Sequence, residues 1–278
     1  MSLLSRKELR VVLWPKQAVL TLIERQLTLR GQRCAAVARQ VVPCDSSSDA
    51  MPWRPALQAL ETALPRFAVG KAAATVILSN HFLRYVLVPW NANLTEAAEE
   101  MAFVRHCFTK VYGTTAQHWA LRLSSESRGS LRLASAIDTV LLDELSAVFD
   151  KAGVAVKSIQ PHLMSVFNGV RDRLRGRSAW FALLEPGHLC LALLHQGRWA
   201  QVRSLRVGAG WHEELALILE REGYLSDAAA QARDVFLWAS GQTEASLPLG
   251  KPWTTHVLTP QRGAGPAEVG PIAMALGA

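Results

Sequence analysis

The chain has 278 residues, with 30 Lys and Arg against 23 Asp and Glu for a formal charge of +7, and 50 % of its residues are hydrophobic. At roughly 100 to 200 residues per domain this admits one large domain or two modest lobes, and 19 % charged residues argue against a disordered chain. No run approaches the roughly 18 consecutive apolar residues of a membrane-spanning helix, and Arg6, Lys7, Glu8 and Arg10 leave no room for the apolar core of a signal peptide. Cytoplasmic residence is therefore expected. Cys34, Cys44, Cys107 and Cys190 form no C-x-x-C and no metal spacing, so reduced packing residues are expected rather than a metal site or a disulfide framework. The positive charge suits an anionic membrane surface or nucleic acid and selects neither.

In chain order, Leu9 to Trp14 reads as a buried strand stopped by Pro15-Lys16. Ala18 to Glu24 reads as a second strand and, past the Gly31 turn, Cys34 to Val42 as a third. A polar loop over Cys44 to Asp49 leads to a helix from Trp53 to Phe67. Its stripe of Trp53, Leu57, Leu60, Leu64 and Phe67 steps by three and four residues onto one face. Thr75 to Ser79 is apolar enough for a strand buried on both faces, as a parallel strand after a crossover helix would be. Phe82 to Val88 is strand-like, and Asn93 and Glu96 stand at N-cap and N3 spacing for a helix from Leu94 to Val111, with a stripe of Ala97, Met101, Val104, Phe108 and Val111. Strands near His118 to Leu123 and Leu131 to Ile137, a helix from Asp138 to Ala152, a strand from Val154 to Ile159 and a helix from Pro161 to Arg171 complete the first part.

Four arginines in seven residues, Arg171, Arg173, Arg175 and Arg177, mark the boundary, as a solvated linker or as a contact with lipid phosphates. The opening pattern then returns. Ala179 to Glu185, His188 to His195 and Trp199 to Val207 form a second meander with turns at Pro186-Gly187 and Gln196-Gly197. Helices from Trp211 to Glu222 and Asp227 to Ser240, a strand from Thr255 to Leu258 and a closing helix near Ala267 to Leu276 are predicted after it. Gly208-Ala209-Gly210 lacks the third glycine of a dinucleotide motif, and His212-Glu213-Glu214 lacks the second histidine of H-E-x-x-H.

The duplicated β-β-β-α-β-α order, the stretch from Val76 to Trp90, Ser158 to Pro161 and the hairpin Phe181 to Gly187 resemble the actin-like proteins of bacterial pilus and secretion assembly: the PilM family, MshI-type proteins and the cytoplasmic domain of GspL. The resemblance implies an α/β actin-like ATPase (RNase H-like) fold. It divides the chain into a first lobe, 1–175, with an inserted subdomain near 82–137, and a reduced second lobe, 176–278. In that superfamily two acidic, glycine-bearing hairpins and a glycine-rich loop hold nucleotide and its Mg²⁺. Here Trp14-Pro15-Lys16-Gln17 has neither carboxylate nor glycine. Glu185 and Gly187 keep a remnant at the second hairpin, and Thr259 to Gly265 is only partly glycine-rich.

The resemblance therefore implies a pseudo-ATPase with no catalytic residue, no metal and no cofactor, acting as a cytoplasmic scaffold peripheral to the inner membrane. Its partner would be the cytoplasmic tail of a PilN-like single-pass protein, with no nucleic acid expected. Asn80, His81, Arg84, Tyr85 and Trp90 are the candidate partner-binding residues, because they cluster after a buried strand and interleave polar and aromatic character; a strand edge with Trp90 as an anchor to the core is the plainer account of the same residues. A nucleotide-dependent ATPase or sugar-kinase-like enzyme of the same superfamily is the alternative.

Overall fold

A computed structural model describes residues 5–28, 31–45, 51–67, 70–239 and 249–258. The β-prone run Val11, Val12 and Leu13 is fully buried in β1 (Ser5–Trp14), which pairs antiparallel with β2 (Gln17–Thr28), itself antiparallel to β3 (Gly31–Pro43). Ala36 faces Ile23 and Ala38 faces Leu22, so Val37 is an extra residue in β3, a bulge of the kind that bends an edge strand away from pairing. Helix α1 (Arg54–Ala63), with proline in its first turn, buries Leu57 and Leu60, flanked by buried Trp53 and Leu64. Phe67, the last of the predicted stripe, follows a 3-10 turn and is half-buried. Strand β4 (Ala73–Leu78) runs parallel to β1 and is buried at five of its six residues, as its unbroken apolar run predicts.

After a 3-10 turn at Asn80–Phe82, β5 (Leu83–Val88), α2 (Ala97–Tyr112), β6 (Trp119–Leu123) and β7 (Arg132–Asp138) make a separate antiparallel sheet in the order β5-β7-β6. Val88, Val104, Phe108, Ala134 and Ala136 are its core. Helix α2 starts three residues later than the Asn93/Glu96 spacing implies. Asn93 spends its N–H on Asn91 Oδ1 at 3.0 Å, and Glu96 becomes the N-cap without a side-chain cap bond. Val111, placed on the buried stripe by its spacing, is instead 61 % exposed, and Ala97 is exposed as well.

Helix α3 (Thr139–Lys151) buries Leu141, Leu145, Val148 and Phe149. Strand β8 (Val156–Pro161) then joins β4 in parallel, giving a five-stranded sheet in the order β3-β2-β1-β4-β8. Helix α4 (His162–Leu174) follows, and the expected linker is corrected here: the helix carries Arg171 and Arg173 and ends on buried Leu174.

The second meander is β9 (Ala179–Glu185), β10 (His188–His195) and β11 (Arg198–Arg206), followed by α5 (Trp211–Tyr224), β12 (Asp234–Ala239) and β13 (Thr254–Val257). Their sheet order, β11-β10-β9-β12-β13, repeats the first sheet position by position. The helix predicted over Asp227 to Ser240 is overturned. Its alanine-rich start forms only a 3-10 turn, Asp227–Gln231, while Val235, Phe236, Leu237 and Trp238 are buried in β12, parallel to both β9 and β13. An unbroken apolar run of that length is the mark of a central parallel strand, and burial between two neighbours outweighs the helix propensity of the alanines. The loop Thr259 to Gly265 and the closing helix near Ala267 to Leu276 lie outside the described residues.

By internal contacts the described chain groups into one unit of residues 5–82 and Val140–Gly169 and a second of Leu83–Thr139 and Val170–Leu258. The sequence reading placed the inserted sheet with the first lobe. The contacts group it with the second, where Trp199 Nε1 of β11 donates to Glu126 Oε1 at 3.3 Å. Among the described residues no helix is long and apolar enough to cross a membrane.

Candidate functional site

The turn between β1 and β2 is built from hydrophobic burial. Trp14 is 8 % exposed, packs with Val12, Val19 and Ile77, and buries its Nε1 without a hydrogen-bond partner. Pro15 has no N–H to offer. The carbonyl oxygens of Pro15 and Lys16 are taken by Cys44, through Sγ at 3.7 Å and N–H at 2.9 Å. A phosphate cradle needs convergent backbone donors and room for close approach; this turn presents an indole and two occupied acceptors.

The turn between β9 and β10 keeps glycine geometry, with Gly187 at φ +78° and space around its Cα. Glu185 faces inward, 1 % exposed, and cross-strand register puts it on one face of the sheet with His188, Cys190 and Ser204. The opposite face carries Leu189, Leu191 and Leu193 against α5. Tyr85 lies over the Glu185 face. Burial first, then the neighbouring Cys190 and Glu185, push its hydroxyl well above the usual phenol range. Burial and then Glu185 likewise push the Cys190 thiol far up, so neither group is an activated nucleophile. Tyr85 and Glu185, assigned by the sequence to different roles, belong to one buried polar cluster.

The remaining candidates after β4 separate by burial. Asn80 is fully buried and its Oδ1 accepts the Leu163 N–H at 3.2 Å, and His81 is half-buried with its N–H on Ser79 Oγ at 3.3 Å. Arg84 is exposed and donates through Nη1 to the Leu83 carbonyl at 2.7 Å, while Trp90 is 40 % exposed. The outward anchors in this stretch are therefore Arg84 and Trp90, with Asn80 and Tyr85 inside.

Beside β5 opens a cleft of about 460 Å³, lined by Tyr85–Leu87 of β5, Val111 and Tyr112 of α2, Ala200–Ser204 of β11, and Leu225 and Ser226 beyond α5. Sequence reading passed over Arg203 and Leu225. Neither sits in a motif, and only the juxtaposition of two sheets makes them neighbours of Val111. Arg203 Nε reaches Glu222 Oε2 at 3.0 Å, beside Gln201 Nε2 at 2.8 Å and Arg221 Nη2 on Oε1 at 3.0 Å, so buried Glu222 clasps α5 to β11.

The arginine cluster is exposed and partly engaged. Arg173 lies 5.8 Å over the Phe236 ring, Arg175 is 3.9 Å from Asp172, Arg177 is 3.9 Å from Asp234, and Arg171 is exposed. Among the described residues no group of three or more His, Cys, Asp or Glu could hold a metal ion.

No protein-family model matches the sequence, nor does any curated protein. Solved structures do. The cytoplasmic domain of EpsL, an inner-membrane component of the type II secretion system of Vibrio cholerae, is similar at a TM-score of 0.59 and 12 % identity, over 98 % of this chain and 92 % of that one. The PilM–PilN type IV pilus biogenesis complex gives a TM-score of 0.56 at 14 % identity, over 91 % and 88 %. A Bacteroides thetaiotaomicron protein of actin-like ATPase fold and unknown function gives 0.56 at 7 %, over 91 % of each chain. At such identities the likeness is one of fold: two sheets of one strand order, each a meander continued by parallel strands, are the actin-like ATPase fold.

Proposed function

We propose that this chain is a non-catalytic cytoplasmic scaffold, peripheral to the inner membrane, that binds the cytoplasmic tail of a PilN-like single-pass protein in a type IV pilus or type II secretion-like platform. The observation that carries the proposal is Trp14, a buried indole at the turn where nucleotide-binding relatives need a carboxylate, with both neighbouring carbonyls already bonded. Likeness in fold to the EpsL cytoplasmic domain and to the PilM–PilN complex supports the assembly role. Arg84 and Trp90, exposed after β4, are the anchors for the tail. Arg171, Arg173, Arg175 and Arg177 add a salt-sensitive contact with anionic lipid.

Calorimetric titration with the cytoplasmic tail encoded by a neighbouring membrane-protein gene tests this reading. Binding that weakens about tenfold or more in Arg84→Glu with Trp90→Ala supports it. A tail that does not bind, together with micromolar binding of ATP·Mg²⁺, would establish instead a nucleotide-dependent enzyme, the reading favoured by the surviving Glu185 and Gly187.

A further inference from the structure

Helix α5 buries Trp211, Leu215, Leu219 and Glu222 and leaves its other side in solvent. On that side Glu213, Leu217, Glu220 and Tyr224 follow one another at steps of four, three and four residues. Such steps stack side chains into a single ridge, here about 16 Å long at about 1.5 Å per residue. The ridge alternates carboxylate with large apolar side chain, and every member is exposed. Leu217, Tyr224 and the capping Leu225, at 66 %, 90 % and 65 %, are the three most exposed large apolar residues among those described. Scattered surface leucines need no explanation, but three such residues on one helix and its cap form a patch.

Charge sets the chemistry of what would cover it. Residues 211–233 hold Glu213, Glu214, Glu220, Glu222 and Asp227 against Arg221 and Arg233, a net −3 in a chain of +7 whose remainder is therefore +10. The apolar patch thus lies on an acidic island of a basic protein. Glu214 and Glu220 have no hydrogen-bond or ion-pair partner among the described residues, and Glu213 has only a 3.8 Å approach to His212. At its C-terminal end the ridge meets a cavity of about 400 Å³, walled by Glu220, Tyr224, Asp227, Pro252 and Trp253. Arg233, the single basic residue on the wall, lies 5.7 Å over the Trp253 ring, so two carboxylates outnumber it.

We infer that the outer face of α5 docks a basic amphipathic helix of a partner protein. Its apolar residues pack on Leu217 and Tyr224, its lysines or arginines meet Glu213 and Glu220, and one of them enters the cavity beside Trp253. The surface goes beyond the tail-binding reading and stands without it. Ridge packing of helix on helix sets the register, Tyr224 and the cavity supply the anchor, and the free carboxylates choose the sign of the partner and speed encounter. An anionic lipid surface is the wrong occupant, because its headgroups repel these carboxylates.

The probe is a labelled Leu–Lys peptide of about 18 residues patterned at the helical period, titrated by fluorescence anisotropy against the full chain. A Leu–Glu peptide of the same pattern, and a Leu–Lys peptide scrambled to lose the period, are expected to bind about tenfold or more weakly, because one reverses the charge and the other has no apolar face. Leu217→Ser with Tyr224→Ser is expected to weaken the patterned peptide about tenfold with an unchanged melting temperature, since both side chains are exposed. Glu213→Lys with Glu220→Lys is expected to weaken it similarly and to flatten its dependence on salt. Arg84→Glu with Trp90→Ala should leave it unchanged. Absence of binding, equal binding of the scrambled peptide, or indifference to the serine and lysine variants overturns the inference. The native tail tests only the scaffold reading: it can fail to bind while the Leu–Lys peptide binds, or bind while the peptide does not.

Discussion

The first turn of each five-stranded sheet joins equivalent positions of one strand order, β1 to β2 and β9 to β10. In the first, Trp14 closes the turn as a packing residue among Val12, Val19 and Ile77. In the second, Glu185 and Gly187 keep acidic and glycine character, but the carboxylate is turned into a cluster with His188 and Cys190 under Tyr85. The same backbone frame thus tolerates an apolar plug at one copy and a buried polar network at the other. Strand order is set by pairing and burial, and neither depends on which side chain sits at a turn. The fold therefore does not dictate the chemistry at either turn.

The sharpest way to break this comparison is Trp14→Asp, which places a carboxylate at the first turn. If the site is now core, the variant leaves a void and a buried charge and loses about 3–5 kcal/mol in urea unfolding. Retained stability with newly acquired ATP·Mg²⁺ binding would mean that the turn is still a ligand site. Next in size is Gly197→Ala. Gly197 has φ +76° and a Cβ built there would stand 2.6 Å from the Gly176 backbone nitrogen, so a loss of about 2–3 kcal/mol is expected. Gly187→Ala has the same sign of φ but open space, and about 1 kcal/mol is expected. Equal costs would contradict the docking of the β10–β11 turn onto Arg177, whose carbonyl accepts the Gly197 N–H at 2.7 Å.

The smallest effects separate the two units by pH. Burial favours protonated Glu8, but the Thr75 hydrogen bond and the charges of Arg10, Arg25 and Lys157 outweigh it and hold the carboxyl below its ordinary 4.5. A lowered folded-state value stabilises the fold above about 4.5 and is lost as pH falls through that lower value, so Glu8→Gln should flatten the acid limb of stability. Tyr85 is opposite in sign. Its value is raised above 10.0 by burial, Cys190 and Glu185, so the stabilisation is complete below 10.0 and lost as pH rises beyond it. Tyr85→Phe should flatten the alkaline limb alone, as read by thermal melts across pH.

Both meanders were legible because short-range chemistry writes them: β-prone runs punctuated by Pro15, Gly187 and Gly197. The crossover strand β4 was legible from its unbroken apolar run. The same signal stood at Val235 to Trp238, but the alanines before it pointed to a helix, and only the slot between β9 and β13 decided for a strand. Of the candidate binding residues, spacing marked a polar and aromatic interleave. It could not say that Asn80 would turn in to cap Leu163 while Arg84 and Trp90 stayed out.

By itself the sequence determined the duplicated strand–turn grammar, an apolar Trp14 at the first turn and a positive charge concentrated between Arg171 and Arg177. Only the tertiary structure decided that Arg171 and Arg173 continue a helix that ends before Arg175, that the inserted sheet groups with the second meander, and that Tyr85 and Glu185, a hundred positions apart, share one buried cluster. The division follows the range of the forces. Turn geometry and hydrophobic period act within a few residues, whereas burial, edge pairing and pKa depend on what the folded chain brings alongside from elsewhere.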